Sequence, residues 1–191
     1  RNLKSIVLQP RFLQAITAAA FAYAVMSFLM TATPLSMHVM ENMSLKETGL
    51  VLQFHVVAMF LPSLITGNLI KKYGHSAIIY GGVLFFFITV LISLFEQTYL
   101  NYMLSLIFLG LGWNFLFISG TSLVVLTYNK EEKFKVQGIN DLIVFSTMAL
   151  ASLSAGILLN SIGWKMMNII CIPFLILIIL VSFVADKKSA S

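Results

Sequence analysis

Charge is scarce in this chain: of 191 residues only 10% are charged, 12 basic and seven acidic. A water-soluble domain carries about a quarter charged residues, so the shortage excludes an ordinary soluble fold. Cysteine occurs once. Cys171 lies in the last apolar run, where it can form neither an intramolecular disulfide nor a thiolate metal cluster, and it reads as a buried apolar thiol. The three histidines, His38, His55 and His75, fall at different depths without clustered carboxylates. That spacing lacks the ligand set of a metal transporter, and no metal or other cofactor is expected. A six-helix intramembrane serine protease needs GxSG, but Ser119-Gly120 follows Phe117-Ile118, so the first glycine is missing and no enzymatic activity is expected. Half-length spans and a filter motif, the marks of a re-entrant channel, are also lacking. No basic patch is interleaved with exposed aromatics, which sets nucleic acid aside as a partner.

What the chain has is apolar length. Hydrophobic residues make up 59% of it, and the mean hydropathy is +0.95. A hydrocarbon core of roughly 30 Å takes about 20 apolar residues of helix, and short charged clusters separate runs of at least that length. Six spans are predicted, at 12–40, 49–70, 76–95, 99–128, 136–160 and 164–185, between a linker at 1–11 and a tail at 186–191. The runs lack period-two alternation and are too long for barrel strands, so the fold class is an all-α integral membrane bundle of six helices. The first run follows Arg1, Lys4 and Arg11, but it is too long for a signal-peptide core and has no cleavage site.

Orientation follows from counting. With the N-terminus cytoplasmic, an even number of spans returns the C-terminus to the same side. Arg1, Lys4, Arg11, Lys71, Lys72, Lys130, Lys133, Lys135, Lys187 and Lys188 then lie inside, against Lys46 and Lys165 outside. The net charge of +5 therefore reflects topology and contact with anionic headgroups, and the bilayer is the first partner. The phenylalanine- and isoleucine-rich composition with minimal loops suggests a bacterial inner membrane. Asn42-Met43-Ser44 has the form of a glycosylation acceptor, a pattern that arises often by chance.

The stretch TGNLIKKYGHSAIIYGG, residues 66–82, places Gly67 and Gly74 about a tight turn, with Lys71 and Lys72 anchoring the end of the second helix. Gly67, Leu69, Lys72 and Gly74 resemble the GxLxDRxGRR loop signature of the major facilitator superfamily. Lys71 stands where that signature often has aspartate, and His75 and Ser76 stand where it often has basic residues. A degenerate signature resembles the C-terminal half of such transporters, as do KVQGINDLIVF at 135–145 and GWKMMNIICIP at 163–173. The resemblance implies half of a twelve-helix fold, two inverted three-helix repeats, acting with a missing N-terminal six-helix half. A chain starting at Arg1 fits a piece of something longer. The resemblance also implies a secondary transporter that moves a small organic solute by alternating access, usually proton-coupled. On that mapping the first, second, fourth and fifth helices line the cavity, and the third and sixth face lipid. A six-helix protein acting as a homodimer, or a scaffold without transport, is the competing reading.

Polar residues inside spans mark candidate sites, because they are costly in lipid. At 100° per residue Gln53 shares a stripe with Gly49, Val56, Phe60, Ser63 and Gly67, whereas His55, Met59, Pro62 and Thr66 lie nearly opposite. Gln53 is the cavity candidate. His55 reads as a proton relay or ligand, or as an interhelical hydrogen bond. On the fourth helix Trp113, Asn114 and Thr121 could stack on and hydrogen-bond a planar solute, or Asn114 could tie helices together while Trp113 fills a gap. Asp141, the only acidic residue inside a predicted span, reads as a coupling carboxylate or as a gating partner for Lys71 or Lys72. The stripe of Thr147, Ala151 and Ala155 is expected to allow close backbone approach. Thr33-Pro34 and Pro62 break their helices, and residues 130–135 form a solvated charged loop.

Overall fold

The computed structural model describes residues 2–190, with Arg1 and Ser191 outside the described residues. The chain runs as α1 (Leu3–Val7), α2 (Pro10–Pro34) with a π-helical turn at Leu35–Met40, α3 (Leu45–Phe60), α4 (Ser63–Tyr73), α5 (His75–Ser93), α6 (Tyr99–Val125), a 3₁₀ turn at Lys130–Glu132, and α7 (Lys133–Ala190). Among the described residues there is no strand. Gly163, at φ 75°, divides α7 into two rods, here α7a (133–162) and α7b (164–190). Gly74, at φ 84°, makes the turn between α4 and α5. Both positions need the left-handed backbone that glycine adopts without a Cβ clash.

Local chemistry explains the remaining boundaries. Ser44 Oγ accepts from Glu47 N at 3.1 Å while Glu47 Oε2 accepts from Ser44 N at 2.9 Å, a reciprocal cap that starts α3. Thr98 Oγ1 accepts from Asn101 N to start α6. Pro34 has no N–H to give to the carbonyl four residues back, and the helix widens into the π turn immediately after it. Pro62 separates α3 from α4 for the same reason. Gly67 sits inside α4 rather than at its end, with open space around it, so the turn is made by Gly74 alone. The segment read as a linker contains α1, whose Ile6 is buried, and the segment read as a tail continues α7b.

The packing is exchanged between the two three-helix sets. α2 lies chiefly against α7 and α6, and α6 lies chiefly against α5, α2 and α3; α2 barely meets α3, and α6 barely meets α7. The leading helix of each set is thus embedded among the trailing helices of the other. Small residues permit this. Ala15, Ala18, Ala19, Ala22 and Ala32 of α2 have no exposed surface, and a Cβ on Gly120 of α6 would lie 2.7 Å from the Ala15 carbonyl.

At one end of the bundle a polar cluster joins three helices. Arg11 of α2 pairs with Asp186 of α7b at 2.7 Å, and Ser76 of α5 donates to the same carboxylate at 2.6 Å. Gln14 donates to Ser76 at 2.8 Å and accepts from Arg11 at 2.7 Å, while Tyr80 donates to the other Asp186 oxygen at 3.2 Å. This is the end that carries the basic cluster; Arg1, counted with it from sequence, is outside the described residues.

Candidate substrate surface at the bundle midplane

The α3–α6 seam is built on a four-residue spacing on each helix. His55 Nδ1 donates to the Leu106 carbonyl at 2.7 Å, since a carbonyl can only accept. One turn on, a Cβ on Gly110 would lie 2.7 Å from the His55 carbonyl and 3.0 Å from Met59 N, so the two backbones touch there. A further turn on, Asn114 donates through Nδ2 to Met59 O and Ser63 Oγ, both at 2.7 Å, and accepts from Thr66 Oγ1 at 2.6 Å. Those partners flank Pro62, so Asn114 bridges the break between α3 and α4.

The two faces anticipated for the second helix separate by burial. His55, Met59 and Thr66 are buried, and Gln53, Val56, Phe60, Ser63 and Gly67 are exposed. Gln53 is thus open, while His55 is enclosed with Nε2 unpartnered among the described residues. Thr121 turns its hydroxyl back to the Phe117 carbonyl at 2.7 Å. Asp141 is exposed and accepts from its neighbour Asn140 at 3.1 Å. Among the described residues no ion pair joins it to Lys71 or Lys72. Those lysines end α4, where Lys72 Nζ stands 5.0 Å from the Tyr73 ring centre.

Five rings meet at mid-height. Trp113 stacks on Phe117 with centroids 4.9 Å apart and planes at 13°, and Tyr23 meets both edge-on at 5.4 and 5.1 Å. Phe60 meets Trp113 at 5.6 Å and Phe145 meets Tyr23 at 5.9 Å. The middles of the four spans fall at residues 25, 59, 112 and 147, and Tyr23, Phe60, Trp113 and Phe145 each stand within three residues of them. Three residues of helix rise only about 4.5 Å, so the cluster occupies one layer. It is closed within and open at its rim: Trp113 is 4% exposed, against 57% for Phe60 and 49% for Phe145. The indole Nε1 is buried without an acceptor among the described residues.

Sequence reasoning picked out Trp113 and missed its companions, because phenylalanines are so common in membrane spans that nothing singles out Phe60 or Phe145 before the helices are assembled. The Arg11–Asp186 cluster was also missed. Its signal was present, since Asp186 is a lone carboxylate beside Lys187 and Lys188.

A second concavity lies between α2, α7a and α7b. It measures about 560 Å³ and is lined by Phe21, Phe28, Thr147, Ala151, Ser154 and Phe174, among others. Of the stripe expected to let backbones approach closely, Thr147 and Ala151 line this space, whereas Ala155 is fully buried in the core. The Thr147 hydroxyl donates to Ile143 O at 2.8 Å and that of Ser154 to Ala151 O at 2.9 Å, so neither offers the space a free donor.

The bundle is that of a multi-pass membrane protein. The profile of the Major Facilitator Superfamily matches residues 15–191, and the chain belongs to that family. Over 179 residues it is 40% identical to the riboflavin transporter RfnT of Brucella anthropi, which covers 94% of this chain and 45% of that protein. It is 31% and 30% identical to two uncharacterized MFS-type transporters of Bacillus subtilis, YdeG and YddS, over 81% and 78% of its length. The chain thus spans less than half the length of these curated relatives.

Proposed function

We propose that this chain is the C-terminal half of a secondary transporter. The whole protein carries a small organic solute across a bacterial inner membrane by alternating access, with riboflavin or a similar flat heteroaromatic as cargo. The observation that carries the reading is the 40% identity, across 94% of this chain, with a protein named a riboflavin transporter. An open layer of aromatic rings at mid-height is what such a cargo requires, since the two halves of these transporters hold solute near the bilayer midplane. A second six-helix half completes the cavity, as the length of the relatives suggests.

Both termini face the cytoplasm on this reading, in keeping with Lys71, Lys72, Lys130, Lys133, Lys135, Lys187 and Lys188 clustering on one side of the predicted topology. Gln53 faces the solute, Asn114 acts by holding α6 to α3 and α4, and Thr121 turns its hydroxyl back onto its own helix. Asp141 and His55 are the groups through which a proton gradient would couple.

The test is riboflavin flux into vesicles containing the intact protein, with and without an imposed proton gradient. Concentrative uptake abolished by a protonophore is expected, with Gln53→Ala weakening it more than Thr147→Ala. Asp141→Asn should remove uphill accumulation while sparing exchange. Absence of riboflavin flux in both directions would overturn the cargo. A denatured mass near 21.2 kDa with no partner polypeptide would favour the homodimer over the two-half architecture.

A further inference from the structure

Resting on the reading that the assembled protein moves an aromatic solute, we infer that Phe60 and Phe145 are the rings that contact the cargo. Tyr23, Trp113 and Phe117 are their fixed backing, so the site selects for a flat conjugated ring. Two observations carry this. Phe60 and Phe145 are the open members of the cluster, and each is held edgewise by a ring that is itself locked: Phe60 by Trp113, which is stacked on Phe117, and Phe145 by Tyr23.

Their helix faces are not lipid faces. Phe60 shares its exposed stripe with Gln53, Ser63 and Gly67, and Phe145 stands one turn from the exposed Asp141. An amide and a carboxylate facing hydrocarbon would be costly, so these faces look onto protein or a watery cavity.

Trp113, 4% exposed, lies behind these rings and out of reach of a solute, so what the layer offers is a π-face, which an aliphatic solute cannot match.

The experiment uses the full-length protein in lipid nanodiscs, reading the quenching of riboflavin emission on binding, with acriflavine as a second flat heteroaromatic and glucose as a non-aromatic competitor. Phe60→Leu and Phe145→Leu keep apolar bulk but remove the ring; each is expected to weaken riboflavin binding about tenfold, the scale of one lost aromatic stack. Phe60→Tyr should restore it, Phe174→Leu in the separate groove should leave it unchanged, and glucose should not compete. Unchanged binding in both leucine variants would overturn the inference and leave the riboflavin reading standing. If riboflavin fails to bind while acriflavine binds with the same sensitivity to Phe60→Leu, the inference stands and the riboflavin reading falls. If neither flat ring binds, both fall.

Discussion

The two leading helices sit in equivalent places, yet their surroundings are closed by opposite means. Around α6 the seams are tight. Gly110 admits the α3 backbone, Gly82 and Gly112 bring α5 and α6 together, and Thr89 and Ser93 hydrogen-bond Ser105 across the same contact. Around α2 the alanine face is also tightly covered, but between α2, α7a and α7b a groove of about 560 Å³ remains, lined by Phe21, Phe28 and Phe174 among others. Association of helices in lipid depends on close packing and interhelical hydrogen bonds, because there is no hydrophobic drive between apolar surfaces already in hydrocarbon. The difference teaches that similar exchanged packing can yield one closed seam and one that keeps an open groove. The closed seam is the one that backs the aromatic layer through Trp113 and Phe117.

The sharpest way to break the comparison is to enlarge a residue in each region. Gly110→Leu should abolish folding into a monodisperse species, since even its Cβ would meet the His55 carbonyl at 2.7 Å. Ala151→Leu, which points into the groove, should leave the thermal midpoint unchanged or raise it. Size-exclusion chromatography and a melting curve in detergent check both. Equal damage at the two sites would mean that the groove is as tightly packed as the seam.

Removing a polar group sharpens the contrast on a smaller scale. Asn114→Ala removes three hydrogen bonds about Pro62, of whose partners Thr66 keeps its bond to the Pro62 carbonyl, and should cost about 1–3 kcal/mol in unfolding free energy. Thr147→Val deletes a hydroxyl bonded only within its own helix and should change stability by less than about 0.5 kcal/mol. Reversible denaturation followed by far-ultraviolet circular dichroism separates the two.

The smallest effect concerns the link that joins the two sets. Arg11 and Asp186 are 37% and 34% exposed, so solvent screens their pair, and Asp186→Asn should cost no more than about 1 kcal/mol. Its signature is salt: the wild-type midpoint should fall toward that of the variant as ionic strength rises. A difference independent of salt would assign the role to the hydrogen bonds from Ser76 and Tyr80.

Several features were legible in the sequence because they follow from local arithmetic. The opposition of Gln53 and His55 is fixed by 100° per residue, and the turn at Gly74 by the need for a glycine between two long runs. Other features were ambiguous for a physical reason. An amide such as Asn114 serves a solute or a neighbouring backbone equally well, and only the position of Met59, Ser63 and Thr66 decides between them. The stripe of Thr147 and Ala151 has the small residues of a close contact, but contact also depends on the opposing face, and there Phe21, Phe28 and Phe174 intervene.

By itself, the sequence determined that this chain lives in lipid as a bundle of helices, since apolar length and sparse charge leave no other way to satisfy the backbone. It also determined which stripe of each helix carries polar groups. Tertiary structure alone decided that rings from four helices share one layer, that Arg11 meets Asp186 across 175 positions of sequence, and that one seam is closed and the other open. Those outcomes depend on how helix surfaces fit one another across the bundle, and no single helix carries that information.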